Sequence, residues 1–170
     1  MLHLVRHGRP LVQRDRPPAT WDLDPAGFDD VWSLRESGRL PGQAAWFSSP
    51  EAKAVQTAQL LAGCEIGIVD DLREHVTDSS DWISDFDAVV RRAFGHPGRP
   101  AYDGWEPLDA CQSRVTKVVR GILASHQDEE IVLVGHGTAW TLLASELTGQ
   151  PPDLDRWATL QMPDVIVLDA

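Results

Sequence analysis

Cysteine is scarce: Cys64 and Cys111 are the only two among 170 residues. They stand far apart and outside any CxxC, which excludes a disulfide framework and fits a reducing, cytoplasmic setting better than secretion. Both are expected to be core thiols. No apolar run approaches the roughly 20 residues a membrane helix needs, and the N-terminus lacks the basic, apolar, small-residue succession of a secretory signal. Positive charge is also short, with 15 Lys and Arg against 26 Asp and Glu and a formal net charge of −11. A field of that sign repels nucleic acid and anionic membranes and does not steer anionic ligands in from a distance. Any anion site must then be a local island of cations. Repeats and low-complexity segments are absent, as are a P-loop, GxSxG and HExxH. His3, His75, His96 and His126 have no metal-ligand spacing, so neither metal nor cofactor is expected.

What is present suits one globular domain over residues 1–170, since 42% of the chain is hydrophobic and no composition break divides it. Met1 to Val5 is a short apolar run of the kind found in buried strands. Asp24-Pro25 pairs an N-cap with proline at the first helical position, and apolar spacing predicts a helix from there to Gly38. Ala44 to Ser49 predicts a strand, with Ser49 as N-cap, Pro50 in the first turn and a helix through Leu61. Ile66 to Val69 predicts a brief strand. Residues 75–105, with a helix over Ser84 to Phe94 and breakers at Gly95, Pro97, Gly98 and Pro100, read as an excursion or lid. Trp82 and Trp105 flank it, and packing outweighs a role in lining a pocket. A helix over Leu108 to Ser125, the strand Ile131 to Val134 and a helix over Thr138 to Leu147 follow. Ala158 to Met162, a turn at Pro163-Asp164 and Val165 to Leu168 predict a hairpin that adds one antiparallel strand. Alternating strands and helices imply a three-layer α/β/α domain with a mostly parallel sheet and one antiparallel strand near the C-terminus.

The first 16 residues break the acidic trend, with Arg6, Arg9, Arg14 and Arg16 against Asp15 alone. Arg14 and Arg16 fall in a Pro- and Arg-rich loop and are expected to be solvated. Three strand ends carry chemistry: Arg6-His7-Gly8, Ser48-Ser49-Pro50 with Lys53, and Gly135-His136-Gly137. Parallel strands place their carboxyl ends on one edge of a sheet, so residues distant in sequence are expected to meet there. A lone histidine is more often structural, but two histidines beside glycines at strand ends reverse that weighting. Lys53 lies in a first helical turn, where the dipole disfavours a cation by about 0.3–1 kcal/mol unless an anion binds nearby.

These segments resemble the histidine phosphatase superfamily, the phosphoglycerate mutase-like family. Leu4-Val5-Arg6-His7-Gly8 looks like its RHG signature, and Ser48 to Ala58 is similar to its SSPxxRAxQTA segment. Val134-Gly135-His136-Gly137 is similar to its second-histidine loop. The resemblance implies a phosphomonoesterase in which His7 attacks phosphorus to give a phosphohistidine that water hydrolyses. It implies that Arg6, Lys53 and His136 bind the phosphoryl oxygens. Arg9, in place of the usual acidic residue, is either an added charge in the site or part of a rebuilt loop. The family carries its general acid after the third strand, where Glu74 stands, with Asp71, Asp78 and Asp81 as neighbouring alternatives. Arg114 follows a segment that reads Gly104-Trp105-Glu106 in place of the family's usual one, and is expected to be a structural ion-pair residue.

Lys53 stands where the family has arginine, exchanging a two-pronged donor for a point charge. Other readings of the resemblance are a mutase-type phosphotransferase, a phosphohistidine protein phosphatase, or a catalytically weak phosphate-binding module. The partner is accordingly a small phosphate ester or a phosphoprotein. Other phosphate chemistries fail on inspection. Neither cysteine is followed six positions later by arginine, and Asp22-Leu23-Asp24 lacks the apolar strand an aspartyl nucleophile needs before it.

Overall fold

A computed structural model describes residues 1–77 and 83–169. Five strands form one sheet in the order β3-β2-β4-β1-β5. They are β1 Leu2–Arg6, β2 Ala45–Ser48, β3 Ile66–Ile68, β4 Ile131–Gly135 and β5 Asp164–Leu168. All neighbouring pairs are parallel except β1 with β5. Arg6 lies opposite Gly135 and Ser48 opposite Val134, so the carboxyl ends of β1, β4 and β2 finish level on one edge.

Strand periodicity sorts the apolar residues onto two faces. Leu2, Leu4, Ile131 and Leu133 pack with α4 (Leu108–Ser125) and α5 (Gly137–Thr148). Val5, Val132, Val134 and Trp46 pack with α1 (Phe28–Glu36) and α2 (Ala52–Leu61). The result is the three-layer arrangement. Trp140 on α5 is fully buried and donates its indole N–H to the Val5 carbonyl at 2.8 Å, tying that helix to the central strand. Gly135 makes room for it, since a Cβ there would stand 2.5 Å from Trp140 Cζ2.

The structure departs from the sequence reading in four places. Asp24 caps a single 3-10 turn, Pro25–Gly27, accepting from the Ala26 N–H, and α1 proper begins at Phe28. The helix after β2 begins at Ala52 with Glu51 as its N-cap residue; the Ser49 hydroxyl accepts the Glu51 N–H at 3.3 Å, ahead of the helix, and also lies 2.7 Å from His136 Nε2. Ala158 to Met162 is not a strand: α6 covers Leu154–Thr159, capped by Asp153, and β5 pairs directly with β1. With β1 as partner β5 needs no hairpin mate, and helical hydrogen bonds satisfy the preceding backbone instead. Cys64 is exposed in the turn between α2 and β3, off the apolar face of either element, whereas Cys111 is buried on α4.

The excursion before α4 carries α3 (Phe86–Gly95), where a helix over Ser84 to Phe94 was expected. Val89, Val90 and Trp105 form a small cluster there, packed with Phe94 and with Trp157 of α6. Trp105 is a packing residue, 4% exposed. Trp82 lies outside the described residues.

Candidate active site

The three strand-end motifs meet at the carboxyl edge of the sheet. His7 continues the β1–β4 ladder by donating its backbone N–H to the Gly135 carbonyl at 2.9 Å. Its ring Nδ1 lies 2.6 Å from the Gly8 carbonyl oxygen. A carbonyl only accepts, so Nδ1 carries the proton and Nε2 keeps the lone pair. Gly8 is required by close approach, because a Cβ would meet Leu23 and Val31 side-chain atoms at 2.8 Å. Its N–H donates to the Thr57 hydroxyl, which in turn donates to the Lys53 carbonyl, so the first motif is pinned to α2. The imidazole is held well below its usual pKa, first by burial and then by His136, Lys53 and Arg6. His7 is therefore neutral at pH 7.

The His136 ring stands edge-on to His7, with centroids 5.2 Å apart. It is fully buried, with Nε2 at 2.7 Å from Ser49 Oγ and 3.4 Å from Glu51 Oε1, while Nδ1 has no hydrogen-bond partner among the described residues. Burial, then Lys53, Arg6 and Arg114, hold it well below the usual imidazole range. Lys53 is 5% exposed and donates to Glu51 Oε2 and to the Pro18 carbonyl. Glu51 Oε1 accepts the Glu74 backbone N–H at 2.9 Å. Glu51 thus joins three parts of the site, and it is the residue that sequence reasoning missed. The available signal was an acidic residue two positions before an unexpected lysine. That separation is not one of the helical spacings at which side chains face each other, and the pairing is possible because Glu51 precedes the helix.

Glu74 lies against the start of α5. Its Oε1 accepts from the N–H groups of His75 and Ala139, both at 2.9 Å, and among the described residues Oε2 accepts only from the Thr138 N–H, at 3.2 Å. Burial raises its carboxyl pKa against those hydrogen bonds, and the Glu51 charge raises it further. Arg114 organises the segment beneath. It makes a two-pronged pair with Glu106, at 3.1 and 2.8 Å, and donates to the carbonyls of Asp71, Arg73 and Glu74. It is a structural ion-pair residue, as its sequence context suggested, and it holds the loop that presents Glu74.

Arg6 reaches the Leu160 carbonyl with Nη1 at 2.6 Å, and its buried Nε has no hydrogen-bond partner among the described residues. Burial lowers its pKa, while Glu74, Asp164 and Asp87 act to raise it; a guanidinium stays charged regardless. Arg9 is not drawn into this group: its guanidinium pairs with Asp24 at 3.2 Å and is half exposed. Asp71 is exposed and pairs with Arg73. Asp78 and Asp81 lie outside the described residues. The structure therefore brings together His7, His136, Arg6, Lys53 and Glu74, together with Glu51 and Ser49. Among the described residues no cluster of three or more His, Cys, Asp or Glu is arranged to hold a metal ion, and no helix is long and apolar enough to cross a membrane.

A family model described as the histidine phosphatase superfamily, branch 1, matches residues 2–169. The chain belongs to that superfamily. Solved structures give the same fold. YhfR of Bacillus stearothermophilus is 24% identical, with 99% of this chain and 91% of that one covered and a TM-score of 0.74. A phosphoserine phosphatase from Entamoeba histolytica, solved with 3-phosphoglyceric acid, is 18% identical over 99% of this chain and 96% of its own, TM-score 0.74. A mycobacterial glucosyl-3-phosphoglycerate phosphatase is 23% identical, covering 94% of this chain and 83% of that one, TM-score 0.71. Comparison with curated protein sequences gives no significant match. Superfamily membership agrees with the order of the three motifs, and the mostly parallel sheet with one antiparallel strand is the fold they implied.

Proposed function

We propose that this protein is a phosphatase that hydrolyses a phosphate monoester through a phosphohistidine on His7. The observation that carries the reading is the 2.6 Å bond from His7 Nδ1 to the Gly8 carbonyl, which leaves Nε2 unprotonated inside a cluster of cations. A neutral, oriented imidazole is a nucleophile at pH 7. Arg6, Lys53 and His136 surround the transferring group and stabilise its charge, which is the principal task in phosphoryl transfer. Glu74 supplies the leaving-group proton. Oε2 is the oxygen suited to carry it, since only one longer hydrogen bond holds it in place. Water then attacks the phosphohistidine and releases inorganic phosphate, with Glu74, now a carboxylate, accepting a proton.

In this reading residues 1–170 work as one domain, and the excursion over residues 75–105 shapes selectivity. Solved relatives named as phosphatases of phosphoserine and of a glucosyl phosphoglycerate support a small metabolite as substrate. The test is turnover of 4-nitrophenyl phosphate between pH 5 and 8, with rapid quench for an acid-labile, base-stable phosphoenzyme. Native protein is expected to turn over and to trap one phosphoryl group per chain, and His7→Ala to do neither. Turnover no greater than that of His7→Ala across the range overturns the proposal and leaves a phosphate-binding module as the reading.

A further inference from the structure

The pairing of Lys53 with Glu51 has a consequence beyond structural support. A site for a doubly charged phosphoryl group needs uncompensated positive charge. Here Lys53 is matched at hydrogen-bond distance by a carboxylate from its own segment, and both side chains are almost fully buried, at 6% and 9% exposure. Water does not screen the pair, so Glu51 offsets most of the attraction Lys53 could offer an anion. Two buried polar atoms of the site, Arg6 Nε and His136 Nδ1, have no hydrogen-bond partner among the described residues. The pocket thus keeps hydrogen-bonding capacity while its lysine is neutralised.

We infer that Glu51 is a specificity-determining carboxylate: a built-in anion that holds Lys53 until the substrate's phosphoryl group takes it over, and that weakens the site for inorganic phosphate. The inference rests on the phosphatase reading. The exchange is one anion for another at the same ammonium, so the phosphoryl group alone contributes little net affinity and the organic part of the ester must supply the remainder. Inorganic phosphate has no organic part and is released as Glu51 returns to Lys53. The substrate class is therefore a monoester recognised largely through its alcohol portion, and the enzyme resists inhibition by its phosphate product.

Glu51→Gln is nearly isosteric and removes the charge; its one carbonyl oxygen can accept from Lys53 or from the Glu74 N–H, which the carboxylate serves with separate oxygens. Calorimetric titration of inorganic phosphate into native protein, Glu51→Gln, Lys53→Met and the double variant provides the test. Phosphate is expected to bind Glu51→Gln about tenfold tighter than native protein, with no such gain between Lys53→Met and the double variant. KM for 4-nitrophenyl phosphate falls in Glu51→Gln while kcat does not rise, a split that loosened packing would not produce. Should Glu51→Gln not fold, Glu51→Met, which also removes the charge at similar length, is read the same way. Unchanged or weaker phosphate binding overturns the inference, as does a gain that persists without Lys53. If neither native protein nor any variant binds phosphate or turns over the ester, the phosphatase reading fails and this inference with it. Phosphate binding to native protein with no gain in the variants overturns the Glu51 inference alone.

Discussion

Lowering the pH from 7.5 to 5.5 is expected to destabilise the fold, by at most roughly 2–3 kcal/mol, through His7 and His136. Both rings are buried, and both are held well below the free imidazole value of 6.5 in the folded protein, first by burial and then by neighbouring charged groups. On unfolding each regains an ordinary pKa, so the unfolded chain binds more protons and stability falls as the pH drops through about 6.5. One such group, kept neutral in the folded chain over this interval, contributes almost nothing at pH 7.5 and at most roughly 1 kcal/mol at pH 5.5, and the pair about twice that. Glu74 acts in the opposite sense. Burial raises its carboxyl above the ordinary 4.5, so the folded chain takes up that proton first and recovers part of the loss. For a chain of this length the net change corresponds to roughly 5–10 °C in Tm. Urea unfolding in phosphate-free buffer at several pH values measures it, with His7→Gln and His136→Gln each expected to remove about half the slope. A change under about 0.5 kcal/mol over this interval, or a full slope retained in both variants, would refute the claim that the nucleophile is held neutral by its surroundings.

Glu74→Gln is expected to lower kcat for an alkyl phosphate by about 10²–10⁴, with a much smaller loss for 4-nitrophenyl phosphate, whose leaving group needs no proton. Equal losses on the two substrates would remove Glu74 as the acid. Arg114→Met leaves Glu106 half-buried without its partner and frees three carbonyls of the Glu74 loop, for a loss of roughly 3 kcal/mol by chemical denaturation. A loss below about 1 kcal/mol would show that the loop is held by other contacts. Gly135→Ala sets a Cβ 2.5 Å from Trp140 and is expected to destabilise by about 1–3 kcal/mol, read as a fall in Tm.

Local patterning was enough for most of the architecture. Ile131 to Val134 is wholly apolar, with three of its four residues β-branched, because both faces of β4 are covered, and the whole of Leu108–Ser125 kept one apolar face. Patterning failed at Ala158 to Met162, where five residues of mixed polarity suit a strand or a short helix equally. The Asp153 cap and the pairing of β5 with β1 made that choice. The same local turn delivers the Leu160 carbonyl to Arg6, a contact between residues 154 positions apart that no local pattern encodes.

The sequence by itself determined that three strand ends carry histidines, glycines and cations, because residue type and spacing are local and the strand-to-helix junctions follow from hydrophobic period and capping. It also marked Lys53 as unusual. Only the tertiary structure decided the charge state of the site. Neutrality of His7 and His136 comes from burial, the proton on His7 Nδ1 is placed by one carbonyl, and Glu74 is set against the first turn of α5. Lys53 is matched by Glu51, an acid to which the sequence pattern assigned no role. Desolvation and contact geometry depend on what the rest of the chain packs around a residue, and that is settled only when the sheet edge is assembled.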